Sequence, residues 1–430
     1  MHNCAERQLP LVVLGCLFLL ISTSHCAESD YQCSSLQYTL REVPEAVVDE
    51  SNLGVSPDLT RTIDGITLVP ERRKGEYWTQ IQVGGQTISA VLDTGSSNLV
   101  IMGDTTLCPD CESTTKYTPS TDSVNLEEAF TVLYGSGQGL VHGYQDNVTL
   151  GCFGQSTPSN FGVFVSAQNL PNILGLAYPS LAFTAASTYT PIWDQIVAAR
   201  PTSTLDFFAF LLCGTRGGSQ VSFGAPILTI DRSTLQETAI THEHYYAVDA
   251  KELRVRGWYL DENSAWQPTD AETTTPIGLF PPAAPSAPTT IVDTGSTLNY
   301  IPLTMLNKLV PLLQAVATYH NIEVPSSFWE TPAGSIATQV SLSDDELARF
   351  PDLEVVFTQY ASTDLMAVTV RPETYMKEST TSKRFFGFRP TAGYVNILGQ
   401  VFLENVYVEF DRNHKKLTFI DSLAYCGNSN

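Results

Sequence analysis

A duplicated motif constrains this chain more than any other feature of its sequence. Ala90-Val91-Leu92-Asp93-Thr94-Gly95-Ser96-Ser97 is matched by Thr290-Ile291-Val292-Asp293-Thr294-Gly295-Ser296-Thr297, so the two aspartates lie 200 residues apart. Each copy is followed by an apolar-apolar-glycine element, at Ile173-Leu174-Gly175 and at Ile397-Leu398-Gly399. One Asp-Thr-Gly is compatible with ordinary turn chemistry, because Asp and Gly are common turn residues. Two copies with matched apolar prefixes indicate a duplicated lobe.

The motif has a clear chemical use if the two lobes face each other. An apolar strand that leads into Asp-Thr-Gly places a carboxylate at a strand end, and the glycine permits a close backbone approach. Asp93 and Asp293 would then meet in a shared cleft, where two carboxyl groups in contact hold one proton between them. Such a pair can activate water for attack on an amide without a cofactor, and the seven histidines form no HExxH zinc motif. We therefore expect neither cofactor nor metal.

The rest of the chain favours mostly β structure. Short alternating runs predict strands, and helical periodicity is convincing only from Pro302 to Tyr319, with a shorter candidate at Pro191 to Ala199. The Thr/Pro/Ala-rich stretch from Thr273 to Thr290 predicts an irregular loop or insertion. With 430 residues and a net charge of −22, the chain is long enough for two lobes and would repel nucleic acid. The predicted strands are Tyr77 to Val83, Thr87 to Leu92, Ala129 to Leu133, Val221 to Phe223, Val368 to Arg371 and Val406 to Phe410.

The amino-terminal region predicts export and processing. An apolar run from Leu9 to Ile21 follows Arg7 and precedes small and polar residues, which is typical of a signal peptide over residues 1–26. A transmembrane anchor is the alternative, but spanning a bilayer takes about 20 apolar residues and this run is shorter. Residues 27–74 are interpreted as a prosegment that ends in Arg72-Arg73-Lys74, which is either a processing site or an ordinary solvated turn. Asn147-Val148-Thr149 is the only glycosylation sequon.

Six cysteines remain beyond the signal peptide, which suggests three disulfides in an exported chain. Cys108-Pro109-Asp110-Cys111 could be a redox or zinc element, but it has no partner CxxC and no helix begins at Cys108. We favour a small structural loop there. The other four cysteines are Cys33, Cys152, Cys213 and Cys426.

From Tyr77 to about Cys426 the sequence resembles the pepsin-like aspartic peptidases. The two Asp-Thr-Gly segments resemble the active-site motifs of that family, and Asn172 to Ser180 and Asn396 to Phe402 resemble its two further signatures. Tyr134-Gly135-Ser136-Gly137 begins 41 residues after Asp93 and resembles the tip of the flap that closes over substrate, although a simple hairpin turn is the alternative. The resemblance implies a bilobal fold, with an amino-terminal lobe at about 75–220 and a carboxyl-terminal lobe at about 221–430.

The resemblance also assigns roles to individual residues. Asp93 and Asp293 would form the catalytic dyad, and the flap tyrosine would cover the S1 side of the cleft. Apolar residues would line S1, so we expect apolar residues on both sides of the scissile bond, with the extended peptide held by main-chain pairing. The supporting residues would be Thr94, Gly95, Ser96, Thr294, Gly295 and Ser296; the flap and substrate-binding residues would be Tyr134, Gly135, Ser136, Val91, Leu170 and Ile173.

Some positions depart from the family pattern. Val100 stands where many members have a tryptophan that bonds the flap tyrosine, and the β-secretase-like members share this loss. A disulfide of those members implies that Cys213 pairs with Cys426, and we pair Cys108 with Cys111. The hypothesis for the remaining two is a Cys33–Cys152 disulfide that tethers the leader. That leader lacks the lysine-rich pattern of an inhibitory prosegment, with only Arg41 and Arg61 between residues 27 and 71.

The sequence therefore predicts an exported, monomeric aspartic endopeptidase that acts on peptides or proteins. It would be secreted or lie in the lumen of the secretory, endolysosomal or vacuolar pathway, without a membrane anchor. The rival from another class is a catalytically silent binding protein or inhibitor of the same fold, since a fold alone does not establish activity. Silent members typically lose an aspartate, a motif glycine or the flap tyrosine, and this chain has all of them.

Overall fold

The structure, a computed structural model, describes most of the chain from residue 76 onward. It covers residues 76–113, 115–134, 137–150, 158–168, 170–182, 189–199, 206–227, 235–283, 287–329, 338–380, 383–391 and 395–426, and the backbone of 36–39, 41–43, 61–63 and 66–68. The predicted signal peptide lies outside these residues. Among the described helices, none is long and apolar enough to cross a bilayer.

Strands dominate the described residues. The first half of the chain contains β1 (Leu36–Thr39), β2 (Arg41–Val43), β3 (Arg61–Ile63), β4 (Ile66–Leu68), β5 (Glu76–Val83), β6 (Gln86–Asp93), β7 (Leu99–Met102), β8 (Val124–Tyr134), β9 (Gly137–Asp146), β10 (Val148–Thr149), β11 (Ser159–Gln168), β12 (Ile173–Gly175), β13 (Phe207–Leu211) and β14 (Gln220–Phe223). The second half contains β15 (Gln236–Glu243), β16 (Tyr246–Val248), β17 (Ala250–Arg256), β18 (Trp258–Leu260), β19 (Trp266–Pro268), β20 (Thr274–Leu279), β21 (Thr290–Val292), β22 (Asn299–Ile301), β23 (Leu353–Thr358), β24 (Leu365–Val370), β25 (Met376–Thr380), β26 (Lys383–Phe386), β27 (Phe388–Pro390), β28 (Asn396–Leu398), β29 (Val406–Asp411) and β30 (Lys416–Asp421).

Helices are few and mostly short. They are α1 (Ile192–Ala199), α2 (Leu303–Tyr319), α3 (Ser326–Trp329), α4 (Asp344–Leu347), α5 (Pro372–Tyr375) and α6 (Gln400–Leu403). Both predicted helices are present. In α2 the buried residues recur every three or four positions, including Met305, Leu309, Leu313 and Val316, so one stripe of the helix packs on the core.

Two large sheets organise the described strands. The first has the order β10-β5-β6-β12-β7-β11-β9-β8, with β2 also paired to β5, and it belongs to the amino-terminal half. The second has the order β1-β14-β13-β29-β30-β15-β16-β21-β28-β22-β27 and draws strands from both halves of the chain. The expected boundary between the lobes at 220/221 falls inside β14, a strand of this shared sheet. The mostly β, bilobal prediction is confirmed.

Buried polar contacts also join the two halves of the chain. The Tyr77 hydroxyl donates to Glu404 Oε1 at 3.0 Å, and Lys377 forms a buried ion pair with the same carboxylate. Arg412 donates to both carboxylate oxygens of Asp194 at 3.2 and 2.6 Å. Removing one member of such a buried pair leaves a charge without compensation, so these contacts help to fix how the halves meet.

The irregular loop predicted for Thr273 to Thr290 is wrong for its first part. Residues Thr274–Leu279 form β20, which pairs antiparallel with β17 and buries Ile277 completely. Pro276 suggested a loop, but β20 is the outer strand of the sheet β20-β17-β23-β24, and its pairing is irregular beside Pro276. An edge strand tolerates proline because one side of its backbone needs no partner.

Candidate active site

Asp93 is held at the end of a buried central strand. β6 runs parallel to β12, with Leu174 opposite Leu92 and Gly175 opposite Asp93. The chain following β12 passes tightly behind the aspartate, because a Cβ on Gly175 would lie 2.5 Å from the backbone nitrogen of Asn98. Glycine is therefore required at this crossing, and the Asn172 to Ser180 segment helps to position Asp93.

Asp293 is held in the same way by the repeated elements. β21 runs parallel to β28, with Ile291 opposite Ile397, and the backbone nitrogen of Asp293 donates to the carbonyl of Leu398 at 3.1 Å. A Cβ on Gly399 would collide with the carbonyl oxygens of Ser296 and Leu298. The sequence duplication thus corresponds to two equivalent supports, one under each aspartate.

The two threonines of the motifs lock the supports together. The Thr94 hydroxyl donates to the carbonyl of Val292 at 3.0 Å and accepts the backbone N–H of Thr294 at 3.0 Å. The Thr294 hydroxyl makes the reciprocal pair, donating to Leu92 at 2.7 Å and accepting from Thr94 at 3.0 Å. Both threonines are completely buried, so these four hydrogen bonds fix the spacing between the two aspartates.

The two carboxyl groups face each other across the space beside the motif glycines. A Cβ on Gly95 would lie 2.6 Å from Cγ of Asp293, and a Cβ on Gly295 would lie 2.7 Å from Cγ of Asp93. Each aspartate is 7% exposed. The motif glycines therefore leave the space in which the carboxyl groups meet.

Each carboxyl group accepts two hydrogen bonds from its own motif. The Gly95 N–H donates to Asp93 Oδ1 at 2.8 Å, and the Ser96 hydroxyl donates to Oδ2. For Asp293, the Gly295 N–H donates to Oδ1 at 2.9 Å and the Ser296 hydroxyl donates to Oδ2 at 2.7 Å. These donors orient both carboxyl groups and stabilise an ionised partner.

Burial dominates the titration of Asp93. Burial, followed by the charge of Asp293, raises its pKa from 3.8 to about 8, against the lowering effect of the Ser96 and Gly95 hydrogen bonds. Two carboxyl groups this close do not both ionise at acidic pH, so the pair retains a proton well above the ordinary range of an aspartate.

The structure describes four of the predicted flap and substrate-binding residues, Tyr134, Val91, Leu170 and Ile173. Tyr134 ends β8 and packs with Leu170 against the apolar cluster that contains Val100. Burial, and then the charge of Asp93, raises the pKa of the Tyr134 hydroxyl, which places that hydroxyl in the field of the dyad. Val91 and Ile173 are neighbours in the β6–β12 pairing, two residues before the aspartate and its opposing glycine. Gly135 and Ser136, the predicted flap tip, lie outside the described residues.

Sequence reasoning missed Tyr245. This half-buried residue lies between β15 and β16, and burial followed by the charges of Asp293 and Asp93 raises its pKa. Its hydroxyl therefore lies within the electrostatic field of the dyad, as that of Tyr134 does. No motif or periodicity marks this position, because the β15–β16 hairpin brings it to the cleft only through tertiary folding.

The predicted cysteine pairs are formed where the structure describes them. Cys108 bonds to Cys111, and Cys213 bonds to Cys426 across 213 residues of sequence. Cys33 and Cys152 lie outside the described residues, so their pairing stays a prediction. The sequon residue Asn147 is exposed, in the turn between β9 and β10.

No group of three or more His, Cys, Asp or Glu side chains among the described residues has the arrangement of a metal site. His242 and His244 lie in the β15–β16 hairpin with ring centroids 6.0 Å apart. His244 contacts the Ser180 hydroxyl at 3.0 Å.

Comparison with known proteins agrees with this geometry. The family model for eukaryotic aspartyl proteases matches residues 76–421, and the chain belongs to that family. Among curated relatives it is 26% identical over 357 residues to cathepsin E of Oryctolagus cuniculus, an alignment covering 80% of this chain and 79% of the relative. It is 25% identical over 357 residues to pepsin-2B of Gadus morhua, covering 80% and 95%. It is 24% identical over 383 residues to beta-secretase of Strongylocentrotus purpuratus, covering 80% and 66%.

Proposed function

We propose that this protein is an aspartic endopeptidase in which Asp93 and Asp293 activate a water molecule. The observation that carries the proposal is the apposition of two buried carboxyl groups on equivalent supports. Membership of the eukaryotic aspartyl protease family supports the same chemistry. The two relatives named as pepsin and cathepsin E belong to this class of enzyme.

The chemistry follows from the shared proton. The water oxygen attacks the peptide carbonyl carbon while the ionised carboxylate takes a proton from that water. The protonated carboxyl group donates its proton to the developing oxyanion. When the tetrahedral intermediate collapses, its hydroxyl returns that proton to the carboxylate that donated it. The leaving nitrogen takes the proton that the other carboxylate had removed from water. Each carboxyl group accepts one N–H and one hydroxyl hydrogen bond from its own motif, so either is equipped to carry the negative charge.

The surroundings of the dyad favour an extended peptide with apolar side chains. Val91, Leu170 and Ile173 are buried and apolar, and Tyr134 packs beside Leu170. Tyr245 offers an aromatic face and a hydroxyl near the dyad. We therefore propose cleavage between apolar residues, with Tyr134 covering one flanking side chain and Tyr245 contacting the substrate on the other side of the cut.

The pH range of activity follows from the retained proton. An acidic optimum is expected, because the hydroxyls of Ser96 and Ser296 stabilise the ionised carboxylate of the dyad. The dyad also needs one proton, and burial raises the pKa of Asp93 to about 8. Cleavage should therefore fall as the pH passes from neutral towards 9. A maximum above neutral pH would contradict this mechanism.

The test is cleavage of an unfolded protein substrate between pH 3 and 9, with and without a statine-type transition-state analogue. Wild type should cut and be blocked by the analogue, Asp293→Ala should be inactive, and the exposed Asp122→Ala should behave as wild type. If folded, processed wild type cuts at no pH and does not bind the analogue, the silent binding-protein alternative replaces this proposal.

We further propose that the enzyme travels the secretory route as a monomer, that residues 1–26 are removed as a signal peptide, and that residues 27–74 form the prosegment region. The exposed Asn147 supports glycosylation during export. Intact mass of the exported protein, before and after glycosidase treatment, should fall by the mass of one glycan. Asn147→Gln should abolish that difference, and Asn160→Gln, which lies outside a sequon, should not.

A further inference from the structure

A short leader segment completes the edge of the large shared sheet. β1 pairs antiparallel with β14 from Leu36 opposite Phe223 to Thr39 opposite Gln220. β14 has β13 on its other side, so without β1 it would be the outer strand of this sheet. An uncovered edge strand presents unpaired backbone N–H and C=O groups, which proteins commonly protect. β1 supplies that protection within the described residues.

The next leader residues pair with the other large sheet. β2 pairs antiparallel with β5, with Arg41 opposite Trp78 and Val43 opposite Glu76. β5 lies beside β6, the strand that ends at Asp93. Residues 36–43 therefore connect the amino-terminal sheet with the sheet shared by both halves. Their backbone pairs with β14, where the expected lobe boundary falls, and with β5 of the amino-terminal sheet.

The connection formed by residues 44–75 begins and ends at the same point of the β2–β5 ladder. Val43 and Glu76 are opposite each other in the ladder, so residues 44–75 join two backbone positions that are already neighbours. Within that connection, β3 and β4 pair with each other. The basic triplet Arg72-Arg73-Lys74 also belongs to it. A cut anywhere in 44–75 consequently leaves both ladders complete.

We propose that residues 36–43 are a permanent part of the folded protein, and that the edges of β14 and β5 keep this leader segment bound after the chain is cut within 44–75. The processed protein is then a two-chain molecule. Main-chain pairing with both sheets holds the leader, in the manner of a strand added to a sheet edge. The expected prosegment of 27–74 accordingly divides into a retained strand segment and a connection that can be cleaved.

The experiment uses the full chain with residues 50–56 replaced by the recognition sequence of a specific protease. The Cys33→Ser substitution is included, so that a disulfide to Cys152 cannot retain the leader. After cutting, the protein is passed through size-exclusion chromatography under native conditions, and the main peak is analysed by intact mass. The disrupting variant is Gln37→Pro with Tyr38→Pro within β1, and its matched control is Val47→Pro with Val48→Pro in the connection.

We expect the main peak to contain about one leader peptide per molecule of the remaining chain, both for the cut Cys33→Ser protein and for the control variant. The β1 variant should retain at least tenfold less, because proline removes backbone donors and distorts the ladder. A leader peptide that elutes separately from the folded remainder of the cut protein overturns the proposal. None of these readouts depends on peptidase activity, so they stand or fall independently of the proposed function.

Hydrogen exchange provides a second measurement that needs no proline variant. In the cut Cys33→Ser protein, the amides of Gln220–Phe223 should exchange as slowly as in the uncut chain. Exchange at least tenfold faster in the cut protein would mean that β1 has left the edge of β14, which contradicts the proposal.

Discussion

Replacing Asp93 with asparagine should change how the stability of the protein depends on pH. The folded protein raises the pKa of Asp93 from 3.8 to about 8 through burial and the charge of Asp293. A raised pKa stabilises the fold at pH values below the unfolded pKa of 3.8, and that stabilisation is lost as the pH rises through about 8. Asparagine does not titrate and can keep the hydrogen bond from Gly95.

The size of the effect follows from the shift. A change from 3.8 to about 8 corresponds to about 6 kcal/mol at roughly 1.4 kcal/mol per pKa unit. Loss of one proton limits the slope to about 1.4 kcal/mol per pH unit, so most of the change falls between pH 4 and pH 8. The stability of Asp93→Asn relative to wild type should therefore increase by several kcal/mol across this range.

The assay is urea unfolding at single pH values from 4 to 9, followed by tryptophan fluorescence, for wild type, Asp93→Asn and the control Asp122→Asn. Asp122 is exposed, so its variant should follow wild type at every pH. Thermal unfolding at the same pH values checks that self-digestion does not distort the comparison. A difference between wild type and Asp93→Asn that stays constant within about 1 kcal/mol, below the shift derived above, would refute the shared, buried proton.

Three further experiments test two supports of the dyad and the long-range disulfide. Thr294→Val should lower the free energy of unfolding by about 2 to 4 kcal/mol, since it removes two buried hydrogen bonds and leaves the Thr94 N–H without its partner. Thr294→Ser should retain most of the stability. Equal losses for both variants in urea unfolding would contradict the role of the hydroxyl. Gly175→Ala should lower the free energy of unfolding by about 3 kcal/mol or more and lower peptidase activity, because the new Cβ meets backbone that cannot move away. A thermal midpoint equal to that of wild type would show that the chain does not pass tightly behind Asp93 at this residue. The double variant Cys213→Ser with Cys426→Ser should lose about 5 kcal/mol, as expected for a long disulfide-closed loop, measured by urea unfolding; reducing agent should then lower the stability of wild type but change the double variant much less.

Much of the candidate site could be predicted because its requirements are local. The glycine after each motif aspartate is fixed by the approach of the opposing carboxyl group, and the apolar prefix is fixed by the buried strand that carries the aspartate. Helix α2 could be predicted for a similar reason, since its buried stripe repeats at helical spacing. Such constraints recur in the sequence wherever the backbone repeats, and the duplicated motif makes them visible.

Other features depend on partners that are distant in the chain. Tyr245 reaches the dyad through the β15–β16 hairpin, and no neighbouring residue marks its role. The strand Thr274–Leu279 reads as a loop because of Pro276, and only its edge position beside β17 accommodates that residue. Asp194 and Arg412 meet across 218 residues of sequence, which spacing alone does not indicate.

The sequence by itself determined the two aspartates, their glycines and hydroxyls, and the family to which the chain is similar, because each of these follows from short-range backbone and side-chain demands. The tertiary structure decided the pairing of Thr94 with Thr294, the burial that raises the pKa of Asp93, and the place of Leu36–Thr39 on the edge of β14. These depend on which surfaces the two halves of the chain bury against each other. Burial makes the carboxyl groups share a proton, and strand register gives the leader its partner.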